Sequence, residues 1–271
     1  MGIESVTHAD LVAALAWQVE CGADEAIGET PVNRFEAVDA PAPRPRRMAA
    51  AAPRSADPQP ARSPIAAAPA PAARGSAEVA AACGDLAALK AAIAGFEGLA
   101  ALRQGARSVV FADGNPSARL MVIGEAPGRE EDRAGLPFVG RSGQLLDRML
   151  AAIGLSRRSE EAASAAYITN TLPWRPPGNR EPSADEVATM LPFLHRHIEL
   201  AGPEVLLLVG SSAVRTMLQT SDGITRRRGK WFELAGRPVI ATWHPAALLR
   251  DPIRKREAWA DLLKLKERLD G

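Results

Sequence analysis

Residues 119–140 read RLMVIGEAPGREEDRAGLPFVG. Leu120 to Ile123 form an unbroken apolar run, too short for a buried helix and stopped at once by Gly124, which is the pattern of a strand covered on both faces. The loop that follows, residues 124–140, carries four glycines, six charged residues and two prolines, so it belongs where the backbone must turn at a surface. A second apolar run, VLLLV at 205–209, has the same character as the first, and shorter strand candidates lie at 167–169 and 238–242. Helical periodicity fills the intervals. Residues 84–95 read as a helix. Leu145, Leu146, Met149, Leu150 and Ile153 share one face that ends at Gly154, and Ser183 with Glu186 makes a capping box ahead of Val187, Met190, Leu191 and Leu194. Strand and helix in alternation predict an α/β fold, a three-layer α/β/α sandwich around a central, mostly parallel four-stranded sheet.

Each predicted strand ends in polar or flexible residues: Gly124–Glu125 after the first, Asn170 after the second, Gly210–Ser211 after the third and His244 after the fourth. Parallel strands deliver all four to one edge, the carboxyl edge at which open parallel sheets bind ligands. Taken singly, an Asn or His in such a place reads as a structural cap. Four in register predict the wall of one pocket.

The chain has 271 residues, 46% of them hydrophobic, enough for one enzyme-sized core with appendages. A formal net charge of +1 argues neither for nor against a polyanionic partner. Cys21 and Cys83 are the only cysteines, and their separation fits neither a disulfide framework nor a metal-ligand spacing. No export signal or membrane span is read, so a cytoplasmic, nucleoid-associated protein is expected. Residues 41–74 hold nine prolines, six arginines, one aspartate and no aromatic residue, the composition of a disordered linker. Its charge suits either a basic tether for phosphates or a plain solvated spacer. Ahead of it, Val12, Leu15, Ala16 and Val19 make a short amphipathic helix. The expected organisation is therefore a helical segment at 1–30, a Pro/Ala/Arg-rich linker at 31–80 and a folded domain at 81–271.

Three runs in that domain, GEAPGREEDRAGLPFVGRSGQLLDRML, YITNTLPWRPPGNREP and WHPAALLRDPIRKREAW, together with VVFADGNPSARLMVIG before them, resemble the motif blocks of the family 4 uracil-DNA glycosylases over roughly residues 100–265. Several separated motifs in the right order make the resemblance specific, where GEAPG alone would not. It implies a monofunctional hydrolase that releases uracil from DNA and leaves an abasic site, with uracil-containing DNA as substrate and abasic DNA as product. Uracil offers an N3–H donor beside an O4 acceptor, which one Asn amide can match, so Asn170 is the expected base reader. The resemblance further implies that Phe138 stacks on the flipped ring, that backbone at Gly124, Glu125 and Ala126 approaches the uracil carbonyl, and that Glu131 lies near C5. His244 is expected to hydrogen-bond O2 as it becomes anionic, and Glu125 to position water or stabilise the sugar cation. Ala126 stands where other glycosylase families place an acidic or amide group.

Each role has a plainer counterpart. Phe138 also reads as core, Glu130, Glu131 and Asp132 as a solvated charge run, and Asn170 and Glu125 as caps. A base must be extruded before it can be cleaved, and Leu248 and Leu249 are the wedge candidates, although one of the two is expected in the core. Arg250, Lys255 and, in the basic loop TRRRGKW (225–231), Arg227 are the expected DNA contacts. That loop lacks the His with which a neighbouring branch of the superfamily attaches to the DNA sugar, so turnover is expected. His195 and His197 are assigned to a helix surface, and no metal site is read. The family's iron–sulfur ligands would fall by spacing near Glu97, Ala100, Trp174 and Met190. With no thiolate at these positions no cluster is expected, Trp174 and Met190 filling the volume instead. Two other classes stay open: a non-catalytic or weakly catalytic uracil- or abasic-DNA-binding protein, and a phosphate-binding protein, which GEAPG disfavours because it lacks the Lys and Ser/Thr of a P-loop.

Overall fold

The computed structural model describes residues 71–271; the expected helix within 1–30 and most of the expected linker lie outside the described residues. Four parallel strands form the centre of the sheet: β2 (Leu120–Gly124), β3 (Ala166–Asn170), β4 (Val205–Val209) and β6 (Arg237–Thr242), in the order β3-β2-β4-β6. The sheet is six-stranded, however. Antiparallel β1 (Asp113–Gly114) flanks β3, and β5 (Trp231–Leu234) flanks β6. Both additions are edge strands of mixed burial, which lack the continuous apolar run that marks a central strand.

Every residue of β2, β3 and β4 is buried. Their side chains share one core with the apolar faces of α5 (Arg141–Ala151), α6 (Ala184–Ala201), α7 (Ser211–Met217) and α10 (Lys255–Asp270). The Ser183–Glu186 capping box forms as read: Glu186 N–H donates to Ser183 Oγ at 3.2 Å and Ser183 N–H to Glu186 Oε2 at 2.8 Å. At the other end of α6, Gly202 takes a left-handed cap, φ 65.

Residues 71–80, assigned by composition to the linker, belong instead to a helix, α1 (Pro71–Ala82). It packs on α6, with Ser76 and Ala80 buried, and Arg196 of α6 donates two hydrogen bonds to the Cys83 carbonyl. With α2 (Leu86–Gly95) and α3 (Ala100–Gly105) it builds a second apolar cluster in which Leu89, Ile93, Leu99 and Leu102 surround Phe111, Leu172, Trp174, Met190 and Phe193. Trp174 is 1% exposed and Met190 4%. This cluster backs the loop that leaves β3, so it sets the position of the residues that follow Asn170.

Candidate active site

The pairing of β2 with β3 places Gly124 opposite Asn170 at the carboxyl edge. The ladder continues past the strands: Thr171 N–H donates to Gly124 O, Leu172 N–H to Glu125 O, and Thr171 Oγ1 to Glu125 O. Backbone at 124–125 is thereby fixed beside Asn170. A Cβ at Gly124 would overlap Asn170 Oδ1 and the Phe138 ring, so only glycine lets amide and aromatic close over the strand end. Phe138 is 6% exposed and sits at φ 54, an unfavourable conformation for a bulky residue. Arg157 holds it there, donating to the Pro137 and Phe138 carbonyls at 2.8 and 3.0 Å while pairing with Asp147 at 2.7 Å and Asp113 at 3.0 Å. Sequence reasoning missed Arg157, an arginine in a charged turn without a motif of its own.

Asn170, Phe138, Ala126, Glu131, Gly140 and His244 line one cavity of about 460 Å³. Asn170 is 5% exposed, and its Oδ1 is the one buried side-chain oxygen or nitrogen among the described residues that has no hydrogen-bond partner. A buried acceptor left unsatisfied costs roughly 1–3 kcal/mol, a deficit that a donor entering the cavity would remove. Glu131, expected near a substrate atom, has both oxygens engaged by the loop: Oε1 accepts from Val139 and Gly140 N–H at 3.0 Å, and Oε2 from Gly128 N–H at 3.1 Å. It clasps the two ends of the segment that carries Phe138. It still forms cavity wall, yet it is no loose charge run.

His244 follows β6 and caps α9 (Pro245–Arg250). Gly210, at φ 95 after β4, makes room for it, since a Cβ there would stand 3.0 Å from His244 Cβ. Ala246 N–H donates to His244 Nδ1 at 3.1 Å, which leaves the neutral ring its proton on Nε2. Burial, with a further push from Arg250 and a weaker opposing pull from Glu131, lowers the imidazole to about 4. The ring is a neutral donor at physiological pH. Its centroid lies 5.6 Å from that of Phe138.

His244 also borders a second cavity of about 400 Å³, walled by Glu125, Glu181, Ser212, Arg215 and Arg250. Glu125 is therefore placed beside the base cavity rather than inside it. Burial first, and the charge of Glu181 second, raise its carboxyl above the ordinary range, against the opposing effects of Arg215 and a Ser212 hydrogen bond. A carboxylate whose proton affinity is raised, next to an uncharged imidazole donor, is suited to hold water or face a developing cation.

The expected DNA contacts separate into two groups. Arg250 and Lys255 are exposed, and Arg250 lines the second cavity. Leu248 is 1% exposed within the core where α9 packs on α5, so it does not reach a duplex as placed, and Leu249 is half-buried against the same core. Arg227 is not brought to either cavity. It pairs with Asp222 at 2.7 Å and lies over the Phe232 ring, while Arg228 is held by buried Asp261. His197, read as a surface residue, is buried between Phe111, stacked at 4.2 Å, and Tyr167, whose hydroxyl meets Nε2 at 2.9 Å. No group of three or more His, Cys, Asp and Glu among the described residues is arranged to hold a metal ion, and no helix among them is long and apolar enough to cross a membrane.

The family model described as the uracil DNA glycosylase superfamily matches residues 111–263. The type-4 uracil-DNA glycosylase of Archaeoglobus fulgidus is 41% identical over 162 residues, 57% of this chain and 78% of that protein. Those of Saccharolobus solfataricus and Thermotoga maritima are 37% and 39% identical, over 61% and 53% of this chain and 78% and 73% of their own lengths. The matched span holds all six strands and the walls of both cavities, and the chain belongs to the uracil-DNA glycosylase superfamily, in its type-4 group.

Proposed function

We propose that this protein hydrolyses the N-glycosidic bond of deoxyuridine in DNA, releasing uracil and leaving an abasic site for base excision repair. The observation that carries the proposal is the partnerless Asn170 Oδ1, buried in a cavity flanked by an aromatic ring and a neutral imidazole donor. Uracil N3–H supplies the missing donor, and the Asn170 amide N–H answers O4. Cytosine, with an unprotonated N3 and an amino group at C4, reverses both demands. Phe138 stacks on the ring. His244 Nε2–H donates to O2, where charge gathers as the bond to C1′ breaks, and Glu125 in the adjoining cavity orients water toward the sugar. Arg250 and Lys255 contact phosphate, in a DNA-associated, cytoplasmic setting.

The enzyme works without an iron–sulfur cluster in this reading. Four thiolates would be needed, the chain has two cysteines in all, and Cys83 is buried with its thiol donating to the Val79 carbonyl. The positions aligned by spacing with ligands are occupied in the described structure by the packed Trp174 and Met190 and by Glu97, which pairs with Arg103 at 3.0 Å. Labelled oligonucleotides with U opposite G, U opposite A, or single-stranded U, treated with alkali after incubation, test the activity. Strand breaks at U, absent from matched C and T controls, are expected. Intact strands with all three substrates would refute it.

A further inference from the structure

Extruding a base from a duplex requires an apolar group to enter the gap and cations to hold the deformed strand. The two leucines that sequence nominates are unsuited as placed, since Leu248 is core and Leu249 is half-buried against it. Beyond them stands Ile253, 82% exposed, whereas every other exposed large hydrophobic side chain among the described residues lies between 37% and 45%. A lone apolar residue at a surface is ordinary. The setting of this one is not.

Ile253 rides on a single 3₁₀ turn, Pro252–Arg254, begun by a proline and joined directly to α10. Asp251 N–H donates back to Ala247 O at 2.8 Å, and Arg254 lies over the Trp243 ring at 4.3 Å while pairing with Asp251 at 2.7 Å. The turn is therefore held from both sides. Arg250, Lys255 and Arg256 are exposed around it with no ion pair among the described residues. The cavities connect it to the site: His244 borders both the base cavity and that of Glu125, Arg254 borders the latter and a third of about 510 Å³, and Ile253 stands on the rim of the third.

We propose that Ile253 is the side chain that enters the DNA duplex beside the extruded uracil, a role that rests on the glycosylase reading above. The wedge acts only where there is a stack to open. Excision from single-stranded DNA does not need it.

Single-turnover excision from a U·G duplex and from the same strand alone, for wild type, Ile253→Ala and Ile253→Leu, tests the assignment, with 2-aminopurine next to the uracil reporting unstacking. Ile253→Ala is expected to slow duplex excision at least tenfold and diminish the fluorescence rise, to leave the single-strand rate within twofold, and to be rescued by Ile253→Leu. A wild-type duplex rate in Ile253→Ala, or an equal loss on both substrates, would overturn the wedge while leaving the glycosylase reading intact. Absence of excision by wild-type protein from either substrate would overturn that reading and the wedge with it.

Discussion

Asn170 reaches its position through backbone, and its proposed role as base reader rests on what its neighbours omit. Gly124 opposite it omits a side chain, and the cavity omits a donor for Oδ1. Gly124→Ala would drive a methyl group against both the amide and the Phe138 ring, so it is expected to lower single-turnover excision by about 100-fold, a loss of about 2.7 kcal/mol in transition-state stabilisation. Excision near wild-type rate would show that the amide and ring need not meet there. The two titratable groups of the site make a separate prediction. Burial raises the Glu125 carboxyl above its ordinary value, and in the proposed mechanism the ionised form orients water, so activity should fall with decreasing pH at a higher pH than an ordinary carboxylate would give. Glu181→Gln removes the second cause of the elevation and should move this acid limb downward. His244, lowered to about 4, should add no inflection near 6.5. A limb at 6.5 that disappears in His244→Gln would contradict the neutral-donor role. Asn170 and His244 were legible because a strand end fixes where the next residues lie, whereas Phe138, far along the loop after β2, came from the resemblance alone. Which of Leu248 and Leu249 turns to the core, and the burial of His197, were not legible, because the face that a helix turns inward depends on partners far away in sequence.

At the scale of elements, an apolar cluster packs under the loop after β3, where the resemblance leads one to expect cluster ligands. Trp174 sits in its centre, and Trp174→Ala is expected to cost about 3–5 kcal/mol, measured by urea or thermal unfolding. A cost near zero would mean that the loop is held by other contacts. Because α1 begins at Pro71 and contributes buried Ala80 to this cluster, the boundary for truncation lies at 70 rather than within the helix. Deleting residues 1–70 should leave excision from short oligonucleotides within about twofold. Deleting residues 1–82 should lower stability as well, and equal behaviour of the two truncations would refute a structural part for α1. Its helical state was hidden by composition: Pro71, Ala72, Ala73 and Gly75 continue the linker's vocabulary, and packing on α6 overrides it. The edge strands β1 and β5 were hidden for a related reason, being short and only half covered. The four central strands, buried along all or most of their length, announce themselves in sequence.

Across the whole molecule, two histidines that fold as neutral groups tie stability to pH. His197 is lowered to about 3 and His244 to about 4, both by burial, while in the unfolded chain each titrates near 6.5. The unfolded state therefore binds more protons below pH 6.5, and their contribution is present in full above that pH and is lost as pH falls toward the folded values. For His197 the loss between pH 7 and 5 is about 2 kcal/mol. His197→Gln should flatten the fall in unfolding free energy over that interval, and an unchanged slope would show that the buried imidazole does not govern it. Purified protein should be colourless and keep its activity under chelators, and stoichiometric iron with a brown colour would contradict the apolar replacement of the cluster.

The central claim is that one cavity at the carboxyl edge reads uracil through Asn170 while phosphate contact is made elsewhere. Its most direct test measures, for wild type, Asn170→Ala and Asn170→Asp, both the single-turnover excision rate on a uracil oligonucleotide and the affinity for undamaged DNA of the same length. The predicted result is a loss of excision of at least about 100-fold with non-specific affinity kept within about twofold. Equal losses in both, in variants that remain folded, would contradict the account and move the reading site elsewhere.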